Sequence, residues 1–405
     1  MKQKLFFTAF ILLLFSLHSS AQNFFSTKGK EIIGPDGKPF LIKGTNTGNW
    51  LVPEGYMFKF SYASSPRLIS ETITEIIGPA AAKIFWQKYL DTYITADDIH
   101  YMKSTGMNSI RIPFNYRLFT NENYMGDNDA SRGFKYLDSI IKWCRHEQLY
   151  VILDMHCAPG GQTGDNIDDG YGYPFLFEHD ESRKQCASIW KKIAAHYRNE
   201  KIIIGYDLLN EPIAHYFDKS KLNPLLEGMY KQITDSIRQV DKNHILILGG
   251  AQWDSDFSPF GPPFDSKLVY TFHKYWTATG IEVIQSYLDF RDKYNVPIYC
   301  GETGENNNEW VAAFRKTLDE NNTGWHYWPY KKMNDSAGII TFPVPAYYDS
   351  VIAYANANRN SFGAIRDAKP LNITLIEKAL DDFIENSRFK NCIPNRDYIK
   401  ALGLE

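Results

Sequence analysis

Eight short apolar or β-branched runs, separated by amphipathic stretches of helical period, constrain this chain more than any other feature. They are Leu41-Ile42-Lys43-Gly44, Ser109-Ile110-Arg111-Ile112, Tyr150-Val151-Ile152-Leu153, Ile203 to Leu209, Ile245-Leu246-Ile247-Leu248, Val269-Tyr270-Thr271-Phe272, Ile298-Tyr299-Cys300 and Trp325-His326-Tyr327. Runs that stay apolar along their length are strands covered on both faces, which points to parallel pairing. Between them, Thr95-Ala96-Asp97-Asp98 opens a helix with capping-box chemistry and Gly106 ends it. Phe134 to His146, Ser182 to Tyr197, Leu225 to Val240, Ile281 to Tyr294 and Glu309 to Glu320 follow with helical spacing. Eight such strands alternating with helices close an α/β fold, the (β/α)8 TIM barrel. The competing architecture, an open doubly wound sheet, would carry a Gly-rich phosphate loop after its first strand, and this chain has none there.

Three connections exceed ordinary length: Trp50 to Tyr93, Cys157 to Asp180 and Lys331 to Lys369, after the first, third and eighth strands. In a barrel all three are extended loops on the C-terminal face, where active sites are built. Met1 to Lys4 carry positive charge, Leu5 to Leu17 are apolar, and Ser19-Ser20-Ala21-Gln22 offers small residues for cleavage. Residues 1–21 are therefore expected to be a secretory signal peptide, giving a periplasmic or extracellular protein. A membrane anchor needs about 20 apolar residues, and this run is shorter and broken by Thr8 and Ser16. No later segment is apolar enough to span a bilayer, and residues 22–405 are read as a single catalytic domain.

Lys+Arg 44 against Asp+Glu 47 gives a formal charge of -3 with no basic cluster, which argues against nucleic acid as a partner. Aromatic content of 15%, with Trp 9 and Tyr 26, suits a surface that stacks on the flat faces of sugar rings. Cys144, Cys157, Cys186, Cys300 and Cys392 are too scattered for a disulfide framework or a metal motif. Cys144 and Cys300 read as buried small hydrophobes, and one disulfide stays open.

The chemistry concentrates at strand ends. Asn210-Glu211-Pro212 closes the run Ile202 to Leu209, and Gly301-Glu302 closes Pro297 to Cys300 about 90 residues later. Two carboxylates on separate strand ends are what glycoside hydrolysis requires. Either glutamate alone could be a helix-start or solvated loop acid; the pair carries the argument. Arg111 closes the second strand, Asp154 and His156 the third, Asn210 and Glu211 the fourth, His273 and Tyr275 the sixth, Glu302 the seventh and Trp328 the eighth. In a retaining mechanism Glu302 must stay ionised, and an arginine and a tyrosine hydroxyl can hold it so; Arg111 and Tyr275 are assigned to it. Glu211 must start protonated, with the charge of Glu302 expected to raise its pKa. Asn210 beside the acid can hydrogen-bond a sugar 2-hydroxyl. Arg111 could instead serve only as an ion-pair partner of Asp154, and His273 as a satisfied core histidine, although its spacing from Tyr275 puts both on one side of a strand end. Asp154-x-His156 lacks a third convincing metal ligand in the sequence, so no metal and no cofactor are expected. Trp328 is preferred as the floor of a sugar site, with Trp325 left to packing.

Together Arg111, His156, Leu208-Leu209-Asn210-Glu211-Pro212, His273-Lys274-Tyr275, Gly301-Glu302 and Trp328 resemble glycoside hydrolase family 5 across nearly the whole mature chain. The resemblance implies a retaining β-glycoside hydrolase with Glu211 as acid/base and Glu302 as nucleophile. Within the family, Gly44-Thr45-Asn46-Thr47-Gly48-Asn49-Trp50-Leu51-Val52-Pro53-Glu54 looks like the opening of exo-β-1,3-glucanases, as do His156-Cys157-Ala158-Pro159-Gly160-Gly161-Gln162 and Tyr327-Trp328-Pro329-Tyr330-Lys331. Those enzymes use the glutamate at the position of Glu54 to hold a terminal glucose, so the substrate implied is a β-glucan or β-linked oligosaccharide. Asn49 stands where that pattern has glycine, Thr303 where it has tryptophan and Cys157 where it has glycine. Endo-β-1,4-glucanase or β-mannanase is the second reading. A carbohydrate-binding protein without turnover is a third, and its mark would be the loss of one glutamate; both are present.

Overall fold

The structure, a computed structural model, describes residues 23–358, 360–368 and 372–404. The expected signal peptide lies outside the described residues. Eight parallel strands close into a barrel: β1 (Lys43–Asn46), β2 (Ser109–Asn115), β3 (Tyr150–Cys157), β4 (Ile203–Asp207), β5 (Ile245–Gly249), β6 (Leu268–Tyr275), β7 (Ile298–Gly304) and β8 (Gly324–Trp328). β8 pairs with β1, Trp325 opposite Lys43, and so completes the ring. Each apolar run named from the sequence lies on one of these strands. The six expected helices form as Ala96–Ser104, Arg132–Glu147, Asp180–Tyr197, Lys219–Arg238, Gln285–Tyr294 and Asn308–Glu320.

Strand alternation divides the core in two. Ile152, Ile204, Ile245, Ile247, Val269 and Tyr299 form one buried cluster with Phe25, Ile32 and Ile42, separate from the larger core between strands and helices. This inner cluster fills the lower barrel, and an antiparallel hairpin, Ser26–Lys28 with Glu31–Ile33, packs over that end. Phe25, Phe40 and Tyr150 seal it with edge-to-face contacts at 4.7 to 5.4 Å. Further along the same inward positions the residues become polar: Asp154 and His156 follow Ile152, and His273 and Tyr275 follow Val269 and Thr271. The barrel is thus apolar at its N-terminal end and chemically active at its C-terminal end.

The long connections hold structure of their own. After β1 comes a 27-residue helix, Pro66–Thr92, bent at Gly78-Pro79, where Gly78 has φ 79°. After β8, strands Lys331–Met333 and Ile340–Phe342 join Ile393–Pro394 in a small sheet, accompanied by helices Tyr348–Ala355 and Ile373–Ser387. Phe383 stacks on Phe58 at 5.0 Å, and the buried Lys331 ammonium meets Asp98 at 2.9 Å and the Ser387 carbonyl at 2.8 Å. The first contact ties the two inserts to each other, and Lys331 ties the second to the helix Ala96–Ser104. All five cysteines are free, so the open disulfide is not formed; Cys144 and Cys300 are buried as expected.

Candidate active site

A guanidinium sits at the centre of the polar end. Arg111 on β2 is fully buried and donates from Nε to Asp207 at 2.8 Å, from Nη2 to the Asn210 side-chain carbonyl at 2.9 Å and from Nη1 to Glu302 at 2.5 Å. Its Nη2 also stands 3.1 Å from Asp154. Arg111 is therefore both an ion-pair partner of Asp154 and a direct partner of Glu302, so the two readings of this residue coexist. One cation among three carboxylates is unbalanced, and burial pushes Asp154 and Asp207 up to about 7 each despite the opposing pull of Arg111.

Glu302 reaches the site through a strand irregularity. Tyr299 points inward, and Gly301 does too, since a Cβ there would fall 2.4 Å from Thr271 Oγ1 and 2.9 Å from His273 Nε2. Simple alternation would send Glu302 outward. The register between β6 and β7 shifts at this point, from Phe272 opposite Cys300 to His273 opposite Glu302, and this bulge turns the carboxylate into the barrel. There Glu302 accepts the Tyr275 hydroxyl at 3.0 Å as well as Arg111.

Glu211 follows β4 in a left-handed conformation, φ 48°, with Ile213 at φ 55°. A non-glycine residue held there carries strain of order 1–3 kcal/mol. The conformation is pinned: the Glu211 N–H meets Asp254 at 3.3 Å, and its carbonyl accepts Thr163 Oγ1 at 2.8 Å. The Glu211 carboxyl lies 2.9 Å from His273 Nδ1. Its pKa is raised to about 7 by burial, opposed by His156 and Arg111 and reinforced by Asp165. The expected cause, the charge of Glu302, is not among these; loss of water around the carboxyl does the work. His156 and His273 go the other way, lowered by burial to about 4 and about 3, so both are neutral at ordinary pH.

His273, Glu211 and Glu302 offer atoms that all lie within 4.8 Å of one another, as do Asp154, His156 and Glu302. The second set supplies the third ligand that Asp154-x-His156 lacked in sequence. Arg111 stands beside both of its carboxylates, Nη2 3.1 Å from Asp154 and Nη1 2.5 Å from Glu302.

A pocket of about 550 Å³ opens above these groups, lined by Glu54, Tyr56, His156, Asp165, Asn166, Ile167, Glu211, Trp253, His273, Tyr275, Trp276, Glu302, Glu305 and Trp328 among others. Trp328 lies parallel to His156 at 5.6 Å, its Nε1 donating to the Tyr56 hydroxyl at 2.7 Å. Gly48 admits it closely, since a Cβ there would come within 2.6 Å of the indole. Trp325 is buried away from the pocket, its Nε1 donating to Asp319 at 3.0 Å. Glu54, in the insert after β1, is buried with Oε1 lacking a hydrogen-bond partner, and burial together with Glu302, Glu305 and Glu211 raises its pKa well above the usual carboxylate range. Every residue singled out from the sequence therefore borders this one cavity or the Arg111 network beneath it.

A cellulase (glycosyl hydrolase family 5) model matches residues 71–334. The chain belongs to glycosyl hydrolase family 5. As a family 5 enzyme it hydrolyses O-glycosyl bonds, and the matched stretch holds Arg111, His156, Asn210, Glu211, His273, Tyr275, Glu302 and Trp328 but not Glu54. Among relatives, a "Beta-xylosidase" of Phanerodontia chrysosporium is 33% identical over 59% of this chain and 48% of its own length. "Endoglucanase C" of Acetivibrio thermocellus is 26% identical over 62% of this chain and 88% of its own length. A "Glucan 1,3-beta-glucosidase" of Candida oleophila is 29% identical over 60% of each. The solved rutinosidase from Aspergillus niger shares the fold at a TM-score of 0.58 and 20% identity, covering 74% of this chain and 92% of that one.

Several residues at the site of this family 5 chain were not singled out in the sequence: Tyr56, Glu305, Trp253 and Trp276 line the pocket, and Asp207 and Asp254 lie against Arg111 and His273. Asp207 could have been noticed as an acid inside an apolar run, but simple alternation from the inward Ile204 would send it outward; the register with β3 shifts between Ile203 and Gly205 and turns it toward Arg111. Trp253 and Asp254 could not. They sit in a run of left-handed residues, Gln252 to Asp254 with φ 53 to 57°, that no local residue pattern announces.

Proposed function

We propose that the protein is a retaining, exo-acting glucan β-glucosidase with a preference for β-1,3 linkages, its residues 22–405 forming one catalytic domain behind a secretory leader that sends it to the periplasm or beyond. Glu302 attacks the anomeric carbon while Glu211 protonates the departing oxygen. Glycosylation neutralises Glu302, and Glu211 then removes a proton from the water that releases the sugar. Arg111 and Tyr275 aim the nucleophile by hydrogen bonds to its two oxygens. His273, neutral, orients Glu211; Asn210, fixed by Arg111, faces the sugar 2-hydroxyl, and Trp328 floors the ring beside His156.

The observation that carries the mechanism is the proximity of the Glu211 and Glu302 oxygens, within 4.8 Å. Retention uses carboxyls about 5–5.5 Å apart, whereas inversion needs about 6.5–9.5 Å to admit a water. Proton NMR of early hydrolysis tests it: the β-anomer should form first, and α-anomer as the initial product would sink the mechanism. Glu54 supports action from a chain end. An endo-β-1,4-glucanase or β-mannanase is the second reading, favoured by the 88% coverage of the endoglucanase relative. Among the described residues no helix is long and apolar enough to cross a membrane.

A further inference from the structure

We infer that Lys332 is a positioning residue for the sugar site: its ammonium holds Glu305, Glu305 holds the Tyr56 hydroxyl, and Tyr56 fixes the Trp328 indole; this rests on the proposed role of Trp328 as the floor under the ring. Lys331 and Lys332 are neighbours on the strand Lys331–Met333, so their side chains leave opposite faces. Both are buried, and a buried ammonium is costly unless paired. Lys331 pairs with Asp98 of the helix Ala96–Ser104. Lys332 turns instead to the pocket wall, 2.5 Å from Glu305 and 3.0 Å from Asp335.

The contacts that meet at Glu305 run in one direction. Trp328 Nε1 donates to the Tyr56 hydroxyl at 2.7 Å, and that hydroxyl donates to Glu305 Oε1 at 3.4 Å. Lys332 donates to the other oxygen, Oε2, and its ammonium lies 5.2 Å from the centre of the Tyr56 ring. A hydroxyl has one proton to give, so Tyr56 passes the chain onward only while Glu305 offers it a lone pair. Burial pushes the Glu305 carboxyl up, toward a protonated form whose own O–H would compete, and the Lys332 ammonium opposes this. Trp328 ends β8, Tyr56 belongs to the insert after β1, Glu305 follows β7 at φ 52°, and Lys332 lies in the small sheet after β8. The fold does not need this chain as a staple, because Phe383 on Phe58 and Lys331 on Asp98 already join the same segments.

Lys332→Met keeps the length of the side chain and removes its charge. KM for 4-nitrophenyl β-glucoside and for β-glucosyl fluoride should then rise by the same factor, about tenfold, with kcat changing less, because the sugar is the part the two substrates share. Lys332→Arg should recover most of the loss. On a Glu305→Gln background the amide carbonyl still accepts Tyr56 and no carboxylate is left for the ammonium to hold, so adding Lys332→Met should change KM by less than about twofold. NMR of the Trp328 indole N–H, assigned by its loss in Trp328→Phe, reads the same cycle without turnover: the resonance should move in Lys332→Met and stay in place when Lys332→Met is added to Glu305→Gln. An unchanged KM, a rise confined to the aryl glucoside, a full effect on the Glu305→Gln background or an unmoved indole resonance each overturns the inference. If Lys332→Met does not fold, Glu305→Ala cuts the chain one link on, and an unmoved resonance there overturns it equally. A wild-type protein inert on both substrates would refute the proposed hydrolysis, while the resonance still decides the role of Lys332.

Discussion

At the scale of single residues the site separates two glutamates by environment. Glu302 is embraced by a guanidinium and a phenol, while Glu211 has one neutral imidazole and little water, which raises it to about 7. The sign of the pH dependence follows. In its proposed role Glu211 can donate only while protonated, so kcat/KM should hold below its pKa and fall as pH rises through about 7. Glu211→Gln should abolish that limb in a pH–rate profile and lose about 10²–10⁴-fold in rate on substrates with poor leaving groups. Azide should partly rescue Glu211→Ala on an activated aryl glycoside, yielding the β-glycosyl azide. Glu302→Gln should be inactive on all substrates yet fold normally by circular dichroism; wild-type turnover in that variant would end the mechanism. Arg111 carries a different burden. Removing it as Arg111→Met leaves Asp154, Asp207 and Glu302 buried without a cation, so a denaturant titration should register a loss of about 3–5 kcal/mol in addition to lost activity.

At the scale of elements, strand existence was legible and strand detail was not. All eight strands could be read because each holds or adjoins a short apolar or β-branched run, but the β7 bulge that turns Glu302 inward depends on a register between distant segments. Gly301 is its trace in the sequence. Gly301→Ala should force a methyl onto Thr271 and His273, displacing Glu302, and is expected to cost most of the activity while the chain still folds; unimpaired kcat would show that the bulge tolerates a side chain. The helix Pro66–Thr92 went unread because Gly78-Pro79 looks like a stop signal; the helix continues past a kink there, and Tyr89 stacks on Phe383 of the helix Ile373–Ser387. Asn49, a departure from the family pattern in sequence, turns out to have φ 65°, a conformation that glycine and asparagine both tolerate. Its side-chain carbonyl accepts the Glu54 N–H at 2.9 Å, an anchor that glycine would lack. The replacement therefore preserves the turn and fixes the residue beside the sugar site. Tyr56, Glu305 and Trp276 stayed hidden for a simpler reason: they lie on loops whose course depends on the inserts, and exposed loop aromatics carry no period.

At the scale of the whole molecule, the inserts make the difference between a barrel with an open cleft and one with a pocket. The segment after β1 brings Glu54 and Tyr56 to one wall, the segment after β3 brings Asp165, Asn166 and Ile167, and the small sheet after β8 sets Lys332 against Glu305, which follows β7, at 2.5 Å. The Glu54 carboxyl faces this enclosure with an oxygen that no protein group satisfies. A buried polar atom without a partner is costly. Hydroxyls of a terminal sugar would supply that partner. A chain continuing past Glu54 would have to replace those hydroxyls with a glycosidic oxygen that donates nothing, leaving the carboxyl buried and unpaired. On the proposed exo-acting reading, glucose should be the sole early product from a β-1,3-glucan, with viscosity falling slowly as reducing sugar accumulates. Glu54→Ala should remove the anchor and lower kcat/KM on that glucan by about 2- to 10-fold, the equivalent of one lost hydrogen bond of about 0.5–1.5 kcal/mol. A ladder of oligosaccharides at early times, with viscosity collapsing first and Glu54→Ala indifferent, would instead assign the pocket to an enzyme that cuts within the chain.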